Sequence, residues 1–511
     1  MTGPPPDGVG AGGGVNGYAP AGSAPAVQSR IARRRRAQRP VEGRTAAVVA
    51  AAVVLVGVGI VSIVFPPPAP APAVTSGDGV RVAPADAGLS SLFCASGAGV
   101  DAGSGATGTV VLANTRPVAV HGVMTTVAAS STIAVQRAVT VPALGSVDVN
   151  PATGLPAGAT GTTFSFVGGG VTGTMVIAGP TGWSTAPCAS EVSTQWDFAG
   201  GSTNNGSLDL SLYNPTAAPA VVDASFLTTS GAVLEPQSFQ GISIGPHQLV
   251  VAALGAYVQG QADVTTRVQT SSGSVVATEL DRISTPNGGG LALVAGTPSS
   301  ATTWRFAQTT AVQGGNVTLV VGNPGPSPVV ADVSVGLSGA TVTPRVLDVP
   351  AHSVANLAVS SVAGWPLGSP YSITVSATSP IVVGRTVASP PKAAAPQAGV
   401  TRGTTRASTS WLVVGPGSPG NPLAANAAIR SLAIAVPGSA PVSVTVRPLA
   451  GGRPIAMARV AAGGLVVFGP AAVGGLRPLI VEATGPVVVE ADDGPTGAPG
   501  IVSTSGFPLS S

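Results

Sequence analysis

The chain has 511 residues, too many for one hydrophobic core and enough for several domains. Only 8% are charged and 4% aromatic, while Gly and Pro number 70 and 48, a balance short of helix formers and rich in turn and β-branched residues. Val in every segment argues against disorder throughout, and the small formal charge of +3 argues against nucleic acid as a partner of the whole chain.

That charge is unevenly placed. Residues 1–44 carry seven arginines against Asp7 and Glu42, whereas the rest of the chain carries 16 basic and 18 acidic side chains. This segment reads as a basic, disordered cytoplasmic tail. The run TAAVVAAAVVLVGVGIVSIVF, Thr45–Phe65, is apolar on every helical face and spans about 30 Å as a helix, the thickness of a bilayer core. It reads as a single transmembrane helix rather than a buried soluble helix. Arg33, Arg34, Arg35 and Arg36 are its topology signal, placing the N-terminus in the cytoplasm and the bulk of the chain outside the plasma membrane. The same arginines could bind nucleic acid or anionic lipid, but a topology role needs no further assumption. A signal peptide cut near Ala69–Ala73 is the competitor, and the length of the apolar run favours the uncleaved anchor. Residues 66–85, opening with PPPAPAPAV, form a Pro-rich linker.

Beyond it, four ordered landmarks recur about every hundred residues, the period of whole domains. An aromatic opens each unit: Phe93, Trp196, Trp304 and Trp411. A turn follows, as VVLANTRP at Asn114, SLYNPTAAP at Asn214, VVGNPGPSP at Asn323 and, weakly, IAVPGSAP at Pro437. Then come VTVPALGSVDV, ISIGPHQLVV, LDVPAHSVANL and ARVAAGGLVVF, and a closing strand. About seven short alternating runs per unit predict an all-β chain of tandem Ig-like or fibronectin-like β-sandwich modules. The boundaries are 86–190, 191–297, 298–391 and a degenerate 409–511, with a linker at 392–408. In VVADVSVGL, Val330, Val333 and Val335 cannot share one strand face, which predicts a change of phase near Asp332. Cys94 and Cys188 sit at the two ends of the first module; in an oxidising compartment they form a disulfide between its first and last strands.

The Asn-Pro turn, the VP-A-x-S landmark, the closing PVV-A-x-R-like strand and the anchor with its basic tail resemble an actinobacterial envelope family, domain-of-unknown-function family 5719. The resemblance covers most of the chain after residue 40. It implies a membrane-anchored extracytoplasmic protein of the envelope and no particular activity. The fourth unit departs from the pattern, with no Asn before Pro437.

Catalytic signatures are missing from the sequence: no phosphate loop, HExxH, CxxC or G-x-S-x-G. His247 and His352 fall at matching turns and read as surface residues rather than ligands; His121 lies in a strand of the first unit. Glu279 with Asp281, or Asp492 with Asp493, could pair as in glycosidases, but a surface ion pair with the following Arg282 explains the first pair as well. Asp223 and Asp332, nine residues after their Asn, read as solvent-facing or turn-capping rather than calcium ligands. Trp196, Trp304 and Trp411 read as core plugs, leaving Tyr257 and Trp365, in loops between fifth and sixth strands, as candidate ligand-binding aromatics. The expectation is a non-enzymatic scaffold or accessory protein with no metal and no cofactor, whose partner is an envelope protein. The alternative is recognition of cell-wall polysaccharide through loop aromatics, with a secreted hydrolase third.

Overall fold

The computed structural model describes residues 79–95, 106–129, 131–179, 182–204, 206–285, 288–339, 342–390, 398–417, 427–473, 475, 478–495 and 502–509. The expected tail, membrane helix and most of the Pro-rich linker therefore lie outside the described residues. Among the described residues no helix is long and apolar enough to cross a membrane.

The first repeat sets the pattern. Its eight strands are Leu89–Ala95, Thr107–Asn114, Val120–Ala128, Ala134–Val141, Gly145–Val149, Thr160–Val167, Val171–Gly179 and Gly182–Pro187. The first, sixth, third and fourth make one antiparallel sheet, in that order; the fifth, second, seventh and eighth make the other. Leu92, Leu112, Met124, Phe164 and Met175, from both sheets, share one core. The same strand order recurs three more times. In the third and fourth repeats the sixth and seventh strands run together as one long strand, Tyr371–Ala388 and Leu479–Pro495. The eighth strand is one more than the alternation predicts. In the third repeat it is Ala398–Arg402, hydrogen-bonded to the seventh, so part of the expected 392–408 linker is sheet. Val329, Ala331 and Val333 are buried in strict alternation, with Val330 exposed, so the predicted change of phase at Asp332 does not occur. Ala331, not Val330, holds the core position.

The landmark Asn is the clamp of the first three repeats. Asn114 is fully buried; its Nδ2 donates to the carbonyls of Val118 (2.8 Å), Val141 (3.3 Å) and Pro142 (3.1 Å), and its Oδ1 accepts from Arg116 N (2.8 Å). Asn214 repeats this on Ala218, Ile244, Gly245 and Thr216, and Asn323 on Ser327, Val349, Pro350 and Gly325. One side chain thus closes its own turn and ties it to the second landmark. That landmark needs a left-handed residue, Leu144 (φ 45), His247 (φ 55), His352 (φ 50) or Gly463 (φ 66), so the two matching histidines are exposed turn formers, as expected.

Backbone register aligns the first strands. Phe93, Asp197 and Arg305 bridge Ala189, Thr297 and Thr404, and Leu412 pairs with Phe507. One residue earlier stand Leu92, Trp196, Trp304 and Trp411, each at most 2% exposed. The three indoles donate to the equivalent carbonyls of Val275, Ile381 and Val487. The tryptophans are core plugs as predicted, but the first repeat fills this site with Leu92, and Phe93 is one residue out of register. One residue later, Phe198 and Phe306 lie over Gly296 and Gly403, where a Cβ would come within 2.7 and 3.0 Å of the rings. In the first repeat that pair is replaced by the Cys94–Cys188 disulfide.

The repeats close a ring. The end of each first strand packs on the seventh strand of the next repeat: Thr278 Oγ1 donates to Ala95 O (2.8 Å), a Cβ on Gly384 would come 2.0 Å from Ala199 O, and Gln308 N donates to Glu490 (3.1 Å). The fourth seam joins Leu412 and Val414 to Val111, Val176 and Trp183 of the first repeat in one apolar cluster. The eighth strands also pack first on second, second on third, third on fourth and fourth on first. Such a head-to-tail interface must close or polymerise, and here it closes within residues Val74–Ser511, one compact unit.

Two outcomes follow from this packing. Replacing Asn214 or Asn323 with Ala strands buried carbonyls and should cost about 2–4 kcal/mol by chemical denaturation; the fourth repeat manages with Val at this place (Val436), so a Val replacement should cost less than Ala. Gly384→Ala forces the second repeat off the third and should lower the unfolding free energy by about 1–3 kcal/mol.

Candidate functional site

Three spaces are candidates. At the ring centre a cavity of about 50 Å³ is lined from all four repeats, by Thr185, Leu293, Arg402, Thr404, Ser503 and Ser505. A cavity of about 80 Å³ lies beside the seam of the third and fourth repeats, lined by Gln308, Thr309, Arg385, Asp492 and Ser503. A groove of about 280 Å³ lies between residues 81–84 and the first strand, with Leu89, Ser91 and Glu191 on its walls. The first two suit water rather than an organic substrate.

The seam cavity adjoins the densest polar network. Arg385, 2% exposed, makes an ion pair with Glu490 of the next repeat, donates to Gln308 O and to Thr309 Oγ1 (3.0 Å), and lies 5.1 Å over the Phe306 ring. Asp492 accepts from Gln308 Nε2 (3.2 Å), Ser431 Oγ (2.9 Å) and Ser503 Oγ. Burial, then the neighbouring Glu490, raises the Asp492 carboxyl above the usual range; burial, then Asp492, raises Asp493 well above it. This arrangement locks two repeats together through one desolvated guanidinium.

In the second repeat, Glu279 and Asp281 share a strand face, as expected, but neither lies at the surface. They are 2% and 1% exposed. Arg282 instead pairs with Asp209 on the adjoining strand. Burial pushes Glu279 up to about 7, with the nearby Thr266 hydroxyl pulling the other way; burial and the nearby Glu279 push Asp281 well above the carboxylate range. The reason is the ring: Leu280 packs with the first repeat's core while Ala277 faces its own, so the seventh strand is covered on both faces. Gly296 N and Gly403 N donate to Ala277 O and Val383 O, which aligns Arg385 with Glu279. Asp197, fully buried, is likewise raised to about 6 by desolvation, against Arg267 at 3.5 Å and Gln195.

The other residues singled out scatter. Trp365 is only 7% exposed, its ring against Tyr371 and its Nε1 directed to Thr343 O (3.4 Å), so it belongs to the core of the third repeat and not to an open loop. Tyr257 is 55% exposed, with one ring edge on Phe239. Both lie between fifth and sixth strands, as read, but they do not converge. Asp223 caps Gly241 N (2.7 Å) and Asp332 is solvent-facing. His121 meets Thr140 Oγ1 at 2.9 Å. Arg33, Arg34, Arg35 and Arg36 lie outside the described residues. Among the described residues no three His, Cys, Asp or Glu are arranged to hold a metal ion.

The buried pair yields a direct check. Arg385→Met leaves Glu490 without its counter-charge and should cost about 3–5 kcal/mol in urea unfolding, and adding Glu490→Gln should recover much of that loss.

No curated protein matches the chain. Among solved structures, it is similar to a Thermotoga maritima protein, 1070, at 20% identity and TM-score 0.18, covering 20% of this chain and 93% of that one. It is also similar to a tetra-tandem repeat from the extending region of a large adhesion protein, at 13% identity and TM-score 0.09, covering 77% and 93%. A family model matches residues 168–461, from the end of the sixth strand of repeat one to the fourth strand of repeat four, more than half the chain. On that match, the chain belongs to DUF5719, a family of unknown function.

Proposed function

We propose that this protein is a non-enzymatic, membrane-anchored scaffold or accessory protein of the bacterial cell envelope, with its repeats outside the plasma membrane and related to Ig-like sandwiches. The observation that carries this reading is the Cys94–Cys188 disulfide, which staples the two sheets of the first repeat and belongs in an oxidising compartment. It agrees with the arginine-flanked apolar run Thr45–Phe65. The scaffold role is supported by where the polar side chains go: Asn114, Asn214, Asn323 and Arg385 are all spent on turns and seams. The partner is an envelope protein. Recognition of cell-wall polysaccharide remains a second reading because Tyr257 is well exposed; it requires retention of the chain on wall polysaccharide that Tyr257→Ala abolishes.

Placement is tested with a single thiol. Cys94 and Cys188 are the chain's two cysteines and are bonded to each other, so Ile133→Cys, at a 71% exposed site, supplies the one reactive sulfur. A membrane-impermeant maleimide should label it in intact cells. Labelling only after lysis would sink the extracytoplasmic reading.

A further inference from the structure

The seventh strands align through one hydrogen bond repeated four times. Cys188 N, Gly296 N, Gly403 N and Gly506 N donate to Gly173 O, Ala277 O, Val383 O and Val489 O. Four residues further along each strand stand Ile177, Asp281, Val387 and Asp493. Ile177 and Val387 pack with the cores of their own repeats. Asp281 and Asp493 take the same place at 1% and 2% exposure, and in each the Oδ1 atom has no hydrogen-bond partner. An apolar site alternates with an acid around the ring.

The charges nearby do not balance either acid. Asp281 faces Glu279 along its own strand; Arg282 is taken by Asp209 on the second strand, Ser202 N donates to Oδ2 (3.1 Å), and the eighth strand opposes it with Ala292. Asp493 has Asp492 beside it, and Arg385 is taken by Glu490; the second strand opposes it with Ile429 and the eighth with Val502. Among the described residues, each cluster holds three carboxylates to one guanidinium. Fully ionised, each would bury two uncompensated negative charges, a state that protonation avoids.

We propose that the second and fourth repeats bind protons as part of their fold, with Asp281 and Asp493 held as neutral carboxylic acids, so that acid tightens these two repeats and rising pH loosens them. Burial raises both carboxyls well above their usual range, and raises Glu279 to about 7. A raised carboxyl makes the folded chain bind more protons than the unfolded one between the ordinary carboxylate value and the raised one. Stability therefore falls as pH climbs through that window, from about 4 to 7 and beyond. The first and third repeats, with Ile177 and Val387, lack the effect at this position.

Hydrogen exchange of the purified full-length chain at pH 5 and pH 8, corrected for intrinsic rates, tests this repeat by repeat. The seventh strands of repeats two and four should open about tenfold or more faster at pH 8, those of one and three less than twofold. Asp281→Asn with Asp493→Asn, neutral at both pH values, should cut the response of repeats two and four about threefold or more, what is left coming from Glu279 and Asp492. Equal acceleration in all four repeats, no acceleration anywhere, or a pH response that the Asn replacements leave undiminished would each overturn the proposal. If the double variant does not fold, the wild-type profile and Glu279→Gln, expected to shrink the response in repeat two alone, decide it.

Discussion

The ring rests on one contact made four times, the end of a first strand against the seventh strand of the following repeat. Its two sides differ, so every repeat offers a socket on one edge and a plug on the other. The seams keep the geometry while changing the chemistry. A threonine hydroxyl meets Ala95 O, bare glycine lies against Ala199, a carboxylate holds Gln308, and an apolar cluster joins the last repeat to the first. Size is traded across seams as well. The Tyr213 ring covers Gly161 at the first, whereas at the second Gly322, in the place of that tyrosine, accepts Thr265. A seam built this way tolerates divergence provided that each change is matched across it.

Within a repeat the buried asparagine does comparable work over a shorter range. Two loops, each with several carbonyls facing inward, would otherwise bury unsatisfied acceptors, and one amide answers most of them. The fourth repeat dispenses with it. Val436 sits there, 2% exposed, and the turn keeps the backbone bond that the other repeats also make, Gly463 N to Gly438 O as His352 N to Gly325 O. The degeneracy read in the sequence is thus the loss of one side-chain clamp, not a loss of the fold.

The all-β class, the hundred-residue period, the disulfide and the tryptophan plugs were legible because each rests on local chemistry: Asn-Pro turns, alternating Val, paired Cys and one aromatic per unit. Ring closure was not, because Ala95, Ala199 and Gly384 leave no pattern at the seams. The carboxylates were misjudged for the same reason. Alternation assigns one strand face to water, and the seventh strand has no such face, so Glu279 and Asp281 looked like a surface pair. Trp365 was misplaced because a Gly- and Pro-rich loop suggests exposure, whereas this loop folds its indole back onto Tyr371.

The disulfide has a mechanical consequence. Elsewhere in the ring, the first strand is held to the segment after the eighth strand by a phenylalanine or valine lying over glycine, a contact that can be peeled apart. In the repeat nearest the N-terminal side of the chain, that contact is covalent. Tension arriving from the residues before Gly79 would first pull residues 79–83 from Ser190 and Gly170 and then load the Leu89–Ala95 strand. The bond passes the load directly to Cys188 and from there to the seventh strand, which it contacts at Gly173. Under such tension the first strand could not leave Cys188 without the bond being reduced.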